Sequence, residues 1–257
     1  MSYIVNVGGG GVFSILHQFF EVIIDNIDNI DLIKQIKLNV PNHLFIRNQN
    51  IFDNIFDFND KQEEILTISS TSCSGTRNRF FQANLYDNFF ILKEINKKLV
   101  YNTYIINEVN NYVFKYNIDD KTLGIHIRLT DMNNLHSDYG IISLEDYILE
   151  ITNYVNNNKN ITKLFIASDN NESINKIINI FPNLTINYFE NQYRVNNMTD
   201  DNFLNQVNNL NDINFIVTNF IENIILSKCC GLIHRISDFA NYAIINSDTF
   251  KDIICLK

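Results

Sequence analysis

Several features are scarce or missing in this sequence. There is no tryptophan, and the 257 residues include only two prolines and eight glycines. No apolar run is long enough to cross a bilayer, so we expect no membrane span. The N-terminus has no basic region followed by an apolar stretch, so no signal peptide is predicted. These absences favour the cytoplasm or another soluble intracellular compartment.

Basic charge is also in short supply. Lysine and arginine total 20 against 29 acidic residues, which gives a net charge of −9 at pH 7. Nucleic acids and anionic membranes are bound through a broad positive field, so neither is an expected partner. The six arginines can still form an isolated basic pocket.

The cysteines suggest neither a metal site nor a disulfide framework. The chain has four, Cys73, Cys229, Cys230 and Cys255, and no spacing among them resembles a zinc motif. The adjacent pair lies in an apolar run and is predicted to be core. This usage favours a reducing compartment.

Half of the glycines stand together at positions 8–11. They follow a short alternating strand at 3–7 and precede a helical pattern that starts at Val12. Glycine lets a ligand approach the backbone near a helix N-terminus, so Gly10, Gly11 and Ser14 are candidate substrate-binding residues. A tight turn that needs positive φ is the alternative.

Strand and helix patterns alternate along the rest of the chain. Strands are predicted at 43–46, 65–68, 122–128, 163–168, 185–189 and 231–234. Helices are predicted at 87–114 with a break near Asn102, at 143–155 with Ser143 as N-cap, at 172–180, in part of 203–226, and at 238–245. This alternation predicts an α/β fold with a parallel sheet covered by helices on both faces. We expect two Rossmann-like halves, residues 1–117 and 118–257, that face a cleft.

Three predicted strands end in polar residues. The run at 122–128 delivers His126, Arg128 and then Asp131 to its end. Arginine presents a bidentate fork to phosphate, so Arg128 is the candidate anion ligand. Asp131 could orient Arg128 or act on an acceptor. A structural Arg–Asp pair at the strand end is the alternative.

The other two strands repeat this arrangement. Ser168 and Asp169 end the strand at 163–168, and Asp169 could accept hydrogen bonds from a nucleoside. The alternative is that Ser168, Asp169 or Asn170 caps the following helix. Arg235, Ser237 and Asp238 follow the strand at 231–234, where hydroxyl and backbone N–H groups could hold a phosphate. Asp238 would oppose an anion there, and Arg235 could balance it.

The order and spacing of these signals resemble the fucosyltransferase superfamily, which includes the α1,2-, α1,6- and protein O-fucosyltransferases. The family's His-x-Arg-x-x-Asp motif is similar to residues 126–131, and its strand ending in Ser/Thr-Asp is similar to residues 167–169. Arg194 resembles the family's later arginine, residues 222–227 its acidic-x-x-x-Leu-Ser helix, and residues 235–239 its phosphate loop. The resemblance covers residues 120–246 and, more loosely, 3–24.

The resemblance implies a GT-B-like fold and a metal-independent, inverting glycosyltransferase that needs no cofactor. The donor would be a nucleotide sugar, most simply GDP-fucose, and the acceptor a glycan or protein hydroxyl. Arg128 would hold the β-phosphate, Ser237 would add a phosphate contact, and Asp169 would contact the nucleoside. His126, Ser168 and Arg194 would complete the binding residues.

The sequence also departs from the family pattern. Met132 replaces the lysine that follows the motif in the α1,6 branch, and His136 stands where that branch has its catalytic glutamate. His136 is a candidate base because the usual histidine pKa lies near neutrality, with a surface histidine as the alternative. Met132 and Asp238 also suit a nucleotide- or carbohydrate-binding module that has lost catalysis. A sulfotransferase is disfavoured because no phosphosulfate loop occurs.

Overall fold

The computed structural model describes residues 2–6, 12–26, 30–40, 50–58, 65–69, 89–130, 141–190, 192–195 and 213–256. Two compact units emerge, Met1–Asn107 with Asn211–Val217 and Glu108–Leu210 with Thr218–Lys257. The first division falls within a helix, and the domain limits expected at 117 and 118 stay a prediction. No helix among the described residues is long and apolar enough to span a bilayer.

The first unit is built on a small parallel sheet. Its strands and helices are β1 (Ser2–Asn6), α1 (Val12–Asn26), β2 (Gln35–Asn39), β3 (Phe56–Asp57), β4 (Ile65–Ser69), α2 (Phe89–Asn96), β5 (Val100–Tyr101) and the start of α3 (Thr103–Lys115). The sheet order is β2-β1-β4, all parallel, while β3 and β5 pair antiparallel. The interruption between α2 and α3 confirms the helix break predicted near Asn102.

The apolar spacing of α1 explains why it forms and how it packs. Leu16, Phe19, Phe20 and Ile23 recur at helical spacing and are fully buried, as expected from the sequence. At the outer edge of the sheet, the Asn50 side chain forms hydrogen bonds with the backbone of β2 and of the residue that follows it. Its Nδ2 donates to the Leu38 carbonyl at 2.9 Å, and its Oδ1 accepts from the Val40 N–H at 3.1 Å.

The second unit contains a five-stranded parallel sheet. Its elements after α3 are β6 (Thr122–Ile127), α4 (Leu144–Asn157), β7 (Lys163–Ser168), α5 (Asn171–Ile180), β8 (Thr185–Tyr188), α6 (Ile213–Leu226), β9 (Gly231–Arg235), α7 (Asp238–Asn246) and β10 (Asp252–Leu256), with α6 belonging to this unit from Thr218 onward. The strand order is β10-β9-β6-β7-β8. Every residue of β6, β7 and β9 is buried, as expected of parallel strands covered on both faces.

Helices cover both faces of this sheet, as predicted. Leu123, Ile125 and Ile127 of β6 pack with Tyr147 of α4 and Ile177 of α5 in one core cluster. On the opposite face, α6 and α7 pack against the strands. Ser143 caps α4 as predicted, and its capping box is closed by Asp146. The buried pair Cys229 and Cys230 is core, also as predicted.

Some elements were not expected from the sequence. The strands β2 and β10 were missed, as were the two-residue strands β3 and β5. The strand expected at 43–46 lies outside the described residues. So do Gly10 and Gly11, together with Asp131, Met132 and His136.

Gly124 lies in a close-packed position with little room for a methyl group. A Cβ at this position would lie 2.8 Å from Leu226 Cδ1 and 3.2 Å from the Gly231 carbonyl oxygen. We expect Gly124→Ala to lower the free energy of unfolding by about 1–3 kcal/mol through overpacking, measured by urea denaturation. Shortening Leu226 to valine removes the tightest contact, so Gly124→Ala/Leu226→Val should be more stable than the sum of the single changes predicts. Strict additivity would exclude this contact as the cause.

Candidate functional site

The winding of the second sheet marks one place where a ligand can bind. From β6 the chain proceeds outward through β7 and β8, and it then returns to the other side of β6 to form β9 and β10. The direction of winding therefore changes between β6 and β9. In open α/β sheets, ligands bind beyond the carboxyl ends of the strands at such a switch point.

Arg128 is the first residue beyond the carboxyl end of β6. Its neighbours Ile127 and Leu129 are buried, whereas Arg128 itself is only half-buried. Its carbonyl oxygen lies 3.5 Å from Nη1 of Arg235, which ends the adjacent strand. Two guanidinium-bearing residues, predicted from separate parts of the sequence, thus meet at the switch point.

Arg235 differs from Arg128 in its surroundings. It is 1% exposed and lies beside Tyr147. Burial raises the pKa of the Tyr147 hydroxyl, and the positive charge of Arg235 offsets part of that rise. Its guanidinium is therefore placed behind the Arg128 backbone, where it adds positive potential from inside the protein. A direct contact between Arg235 and substrate stays a prediction.

His126 lies in the same region as a buried, uncharged side chain. It is 5% exposed, and its ring stacks on Phe239 with centroids 4.8 Å apart and planes 14° apart. Burial lowers the pKa of His126 well below its usual value, and the charge of Arg128 adds to this effect. The imidazole is therefore neutral at pH 7, and its Nδ1 lies 3.4 Å from Ser237 Oγ.

Ser237 and Asp238 begin α7 beyond the end of β9. Ser237 is the N-cap, and its hydroxyl oxygen accepts from the Ala240 N–H at 3.1 Å. The first turn of a helix presents unpaired N–H groups and a partial positive charge, which suits an anion. Asp238 is half-buried in that first turn.

Asp169, beyond the end of β7, is 8% exposed and bonded through both carboxylate oxygens. Oδ2 accepts from the Thr130 hydroxyl at 2.6 Å and from the Thr130 N–H at 3.2 Å, while Oδ1 accepts from Asn170 Nδ2 at 2.9 Å. The helix cap that the sequence left open among residues 168–170 belongs to Asn170, which accepts from the Ser173 N–H. The predicted contact of Asp169 with a nucleoside stays a prediction.

Ser168 is also buried and engaged locally. Its hydroxyl donates to the Asn170 carbonyl at 3.2 Å, and its oxygen accepts from the Asn170 N–H at 3.3 Å. These bonds shape the turn between β7 and α5. A contact between Ser168 and substrate remains untested.

Arg194 has a dense set of structural partners. Nε donates to the Ser168 carbonyl at 3.0 Å, Nη1 to the Phe189 carbonyl at 2.8 Å, and Nη2 to Glu222 Oε1 at 2.7 Å. The side chains of Arg194 and Glu222 are 2% and 3% exposed. Burial raises the pKa of Glu222, and the Arg194 guanidinium opposes that rise. This pair joins α6 to the carboxyl ends of β7 and β8, and substrate binding by Arg194 stays a prediction.

Two residues near the strand ends were not identified from the sequence. Tyr147 follows the helical period of α4 and signals core, so no pattern marks it as part of the site. His234 lies within the apolar strand β9 and is in register with His126. Its Nδ1 is 2.8 Å from the Arg235 carbonyl oxygen, which fixes the proton on Nδ1. Its Nε2 is buried and has no hydrogen-bond partner among the described residues.

Ser14 lies in α1 of the first unit and is half-buried. Gly10, Gly11, Asp131 and His136 lie outside the described residues, so their candidate roles stay predictions. Within the described ranges, no group of three histidine, cysteine or acidic side chains could hold a metal ion.

Among the comparisons with known proteins, only the one with solved structures found matches. No family model matches the sequence, and no curated protein does. Among solved structures, the α-1,6-fucosyltransferase NodZ from Bradyrhizobium, in crystals soaked with GDP-fucose, matches with a TM-score of 0.54 and 11% identity, over 95% of this chain and 92% of that chain. A mutant of Arabidopsis thaliana FUT1 in complex with GDP matches with a TM-score of 0.55 and 10% identity, over 98% and 69%.

The apo form of POFUT1 matches with a TM-score of 0.55 and 11% identity, over 99% of this chain and 97% of that chain. At such identities the likeness shows the fold alone. The expected fold class, α/β of the GT-B kind, is confirmed: both units carry parallel sheets, as in these fucosyltransferase folds.

The buried pair of Arg194 and Glu222 leads to the second prediction. Glu222→Ala leaves a permanently charged guanidinium without its carboxylate, so we expect a loss of about 3–5 kcal/mol in the free energy of unfolding. Glu222→Gln, which keeps an acceptor oxygen, should cost less. The control is Glu172→Ala, which breaks the exposed 3.8 Å pair with Lys176 and should cost under about 1 kcal/mol. Equal losses for Glu222→Ala and Glu172→Ala in urea denaturation would contradict a structural role for the buried pair.

Burial of His234 should make the stability of the protein sensitive to acid. Burial lowers its pKa from 6.5 to about 4, so the unfolded chain takes up the proton first as the pH falls. Stability should therefore be complete above pH 6.5 and decline between pH 6.5 and 4, by about 3 kcal/mol from this residue. His234→Asn keeps an N–H donor and does not titrate, so its stability should fall less steeply over that interval. Identical slopes for the two proteins in urea unfolding would rule out His234 as a source of acid sensitivity.

Proposed function

We propose that this chain is a metal-independent, inverting glycosyltransferase that takes its sugar from a GDP-sugar, most simply fucose from GDP-fucose. The acceptor would be a hydroxyl of a glycan or a protein. One observation carries the proposal: Arg128 follows β6 at the winding switch point, where its backbone carbonyl lies against the buried Arg235, and the neighbouring strand β9 leads directly into the N-terminus of α7. That combination is suited to a diphosphate.

The solved structures that share the fold support the same class. The NodZ structure described above was soaked with GDP-fucose, and the FUT1 structure contains GDP. A shared fold does not transfer a reaction by itself. The nucleotide assignment therefore rests on the local arrangement, and the likeness to these proteins favours guanosine diphosphate among the nucleotides.

The proposed reaction is a single displacement at the anomeric carbon. The acceptor oxygen forms a bond to that carbon as the bond to the β-phosphate oxygen breaks, and GDP leaves with the electron pair. Arg128 would offset the charge that develops on the β-phosphate, because a fixed donor in a site of low polarity stabilises such charge strongly. The Ser237 hydroxyl and the N–H groups of α7 would add to this stabilisation.

The acceptor must lose a proton during the displacement. Asp131 and His136 are the candidate bases, since a carboxylate or a neutral imidazole can receive a proton near pH 7. His126 is a poorer candidate because its ring is buried against Phe239 and its pKa is far below the usual value. We assign His126 to shaping the strand end.

A binding module of the same fold that has lost catalysis is the second candidate. Asp238 favours it, because a half-buried carboxylate in the first turn of α7 opposes an anion at that helix end. Calorimetry and a turnover assay together separate the two. GDP binding with neither transfer nor donor hydrolysis favours the module.

The fourth prediction concerns Arg128. Replacing Arg128 with alanine should reduce the rate of GDP release from GDP-fucose, with or without acceptor, by about 10²–10³-fold. Arg128→Lys keeps the charge and loses the fork, so it should be intermediate. Lys159→Ala removes an exposed cation from the same unit and should leave the rate unchanged. Full activity in a folded Arg128→Ala protein would overturn the assignment.

A further inference from the structure

A buried carboxylate holds the segment that carries Arg128. Asp169 and Thr130 lie 39 residues apart in the sequence and are both buried, with Thr130 only 2% exposed. Asp169 Oδ2 accepts two bonds from Thr130, one from the hydroxyl and one from the backbone N–H. Because both donors of Thr130 reach the same oxygen, its backbone and side chain are oriented together. Bonds to a charged acceptor are also stronger than neutral ones.

Hydrogen bonds also hold the Asp169 carboxylate and the backbone next to it. Its Oδ1 accepts from Asn170 Nδ2, and the Asp169 backbone carbonyl accepts from the Val195 N–H at 3.0 Å. The residue before it, Ser168, accepts from Arg194 through its carbonyl. Arg194 is in turn held by Glu222 on α6. The acceptor for Thr130 is therefore fixed from several directions.

Residues 128–130 form a short segment that is held at both ends, in addition to the contact between the Arg128 carbonyl and Arg235. The paired part of β6 stops at Ile127, which lies opposite Ser168 in the register. Residues 128–130 continue beyond the strand, and Arg128 is thus held between the ladder at Ile127 and the Asp169 bonds at Thr130. Fixing both ends of so short a segment fixes the direction in which the Arg128 side chain leaves the backbone.

We propose that Asp169 and Thr130 are positioning residues that set the guanidinium of Arg128 on the diphosphate of the donor. This inference rests on the proposed function of Arg128. It assigns to the buried carboxylate a role in orienting the phosphate ligand. A direct nucleoside contact is the alternative for Asp169, but Thr130 is too deeply buried to take part in such a contact. The Thr130 hydroxyl therefore distinguishes the two roles.

The first test removes that hydroxyl alone. Thr130→Val has nearly the same shape and leaves Asp169 Oδ2 with only the backbone donor of residue 130, whereas Thr130→Ser retains the hydroxyl. We expect Thr130→Val to weaken GDP binding in calorimetry and to lower kcat for GDP-fucose hydrolysis, each about tenfold or more, because small misplacements of a charged group are costly. Thr130→Ser should restore both values to within about threefold of the unsubstituted protein.

A matched control separates positioning from stability. Tyr154→Phe also removes one hydroxyl bond, here to Asp252 at 2.9 Å, near the amino ends of β9 and β10. Measured well below the melting temperature of each protein, Tyr154→Phe should leave GDP affinity and kcat unchanged. If Thr130→Val does not fold, Asp169→Asn provides a second test, because its N–H₂ must face either the Thr130 N–H or the Asn170 N–H₂, both of which are donors, so one of the bonds that hold this pair is lost.

A double-mutant cycle decides whether Thr130 acts through Arg128. In the Arg128→Ala background, Thr130→Val should cause no further loss of GDP affinity, because the group it positions is gone. Additive losses would overturn the positioning role, as would normal GDP affinity and kcat in folded Thr130→Val. If Arg128→Ala itself changes neither quantity, the proposed function fails instead, so the two failures are distinguishable.

Discussion

The central position of β6 is the constraint on which the rest of the second unit depends. The strand is paired on both edges, with β7 and β9, and all six of its residues are buried. A strand in this position can carry polar chemistry only near its carboxyl end. The covering helices, the close packing at Gly124 and the reversal of winding all follow from the need to bury both of its faces.

The burial of both faces of β6 also explains which of the nearby polar groups are charged and which are neutral. Among the buried polar groups, His126 and His234 are uncharged, and Asp169 is bonded through both oxygens. Positive charge is concentrated at the switch point through Arg128 and Arg235, in a chain whose net charge is −9. A local cation site in an acidic protein favours a small anionic ligand over an extended polyanion.

The sequence predicted the local features well because they depend on neighbouring residues. The apolar run of β6, the N-cap at Ser143 and the helical spacing of α1 are each determined within a few positions. The strands β2 and β10 were missed, and both form by pairing with a strand elsewhere in the chain. Partners far apart in sequence were equally out of reach: Asp169 with Thr130, Arg194 with Glu222, and Arg235 with the carbonyl of Arg128. Single residues at strand ends showed where chemistry could occur, while their bonds depend on the assembled sheet.

We propose that the carboxyl ends of β6 and β9 recognise the diphosphate of a guanosine nucleotide. Calorimetric titration of the unsubstituted chain with GDP, GMP, UDP and CMP under identical conditions tests this directly. We expect that GDP binds, that GMP binds at least about tenfold more weakly because it lacks the β-phosphate, and that UDP and CMP bind more weakly than GDP. Equal affinity for GDP and GMP, or no binding of any of the four nucleotides, would overturn the proposed recognition.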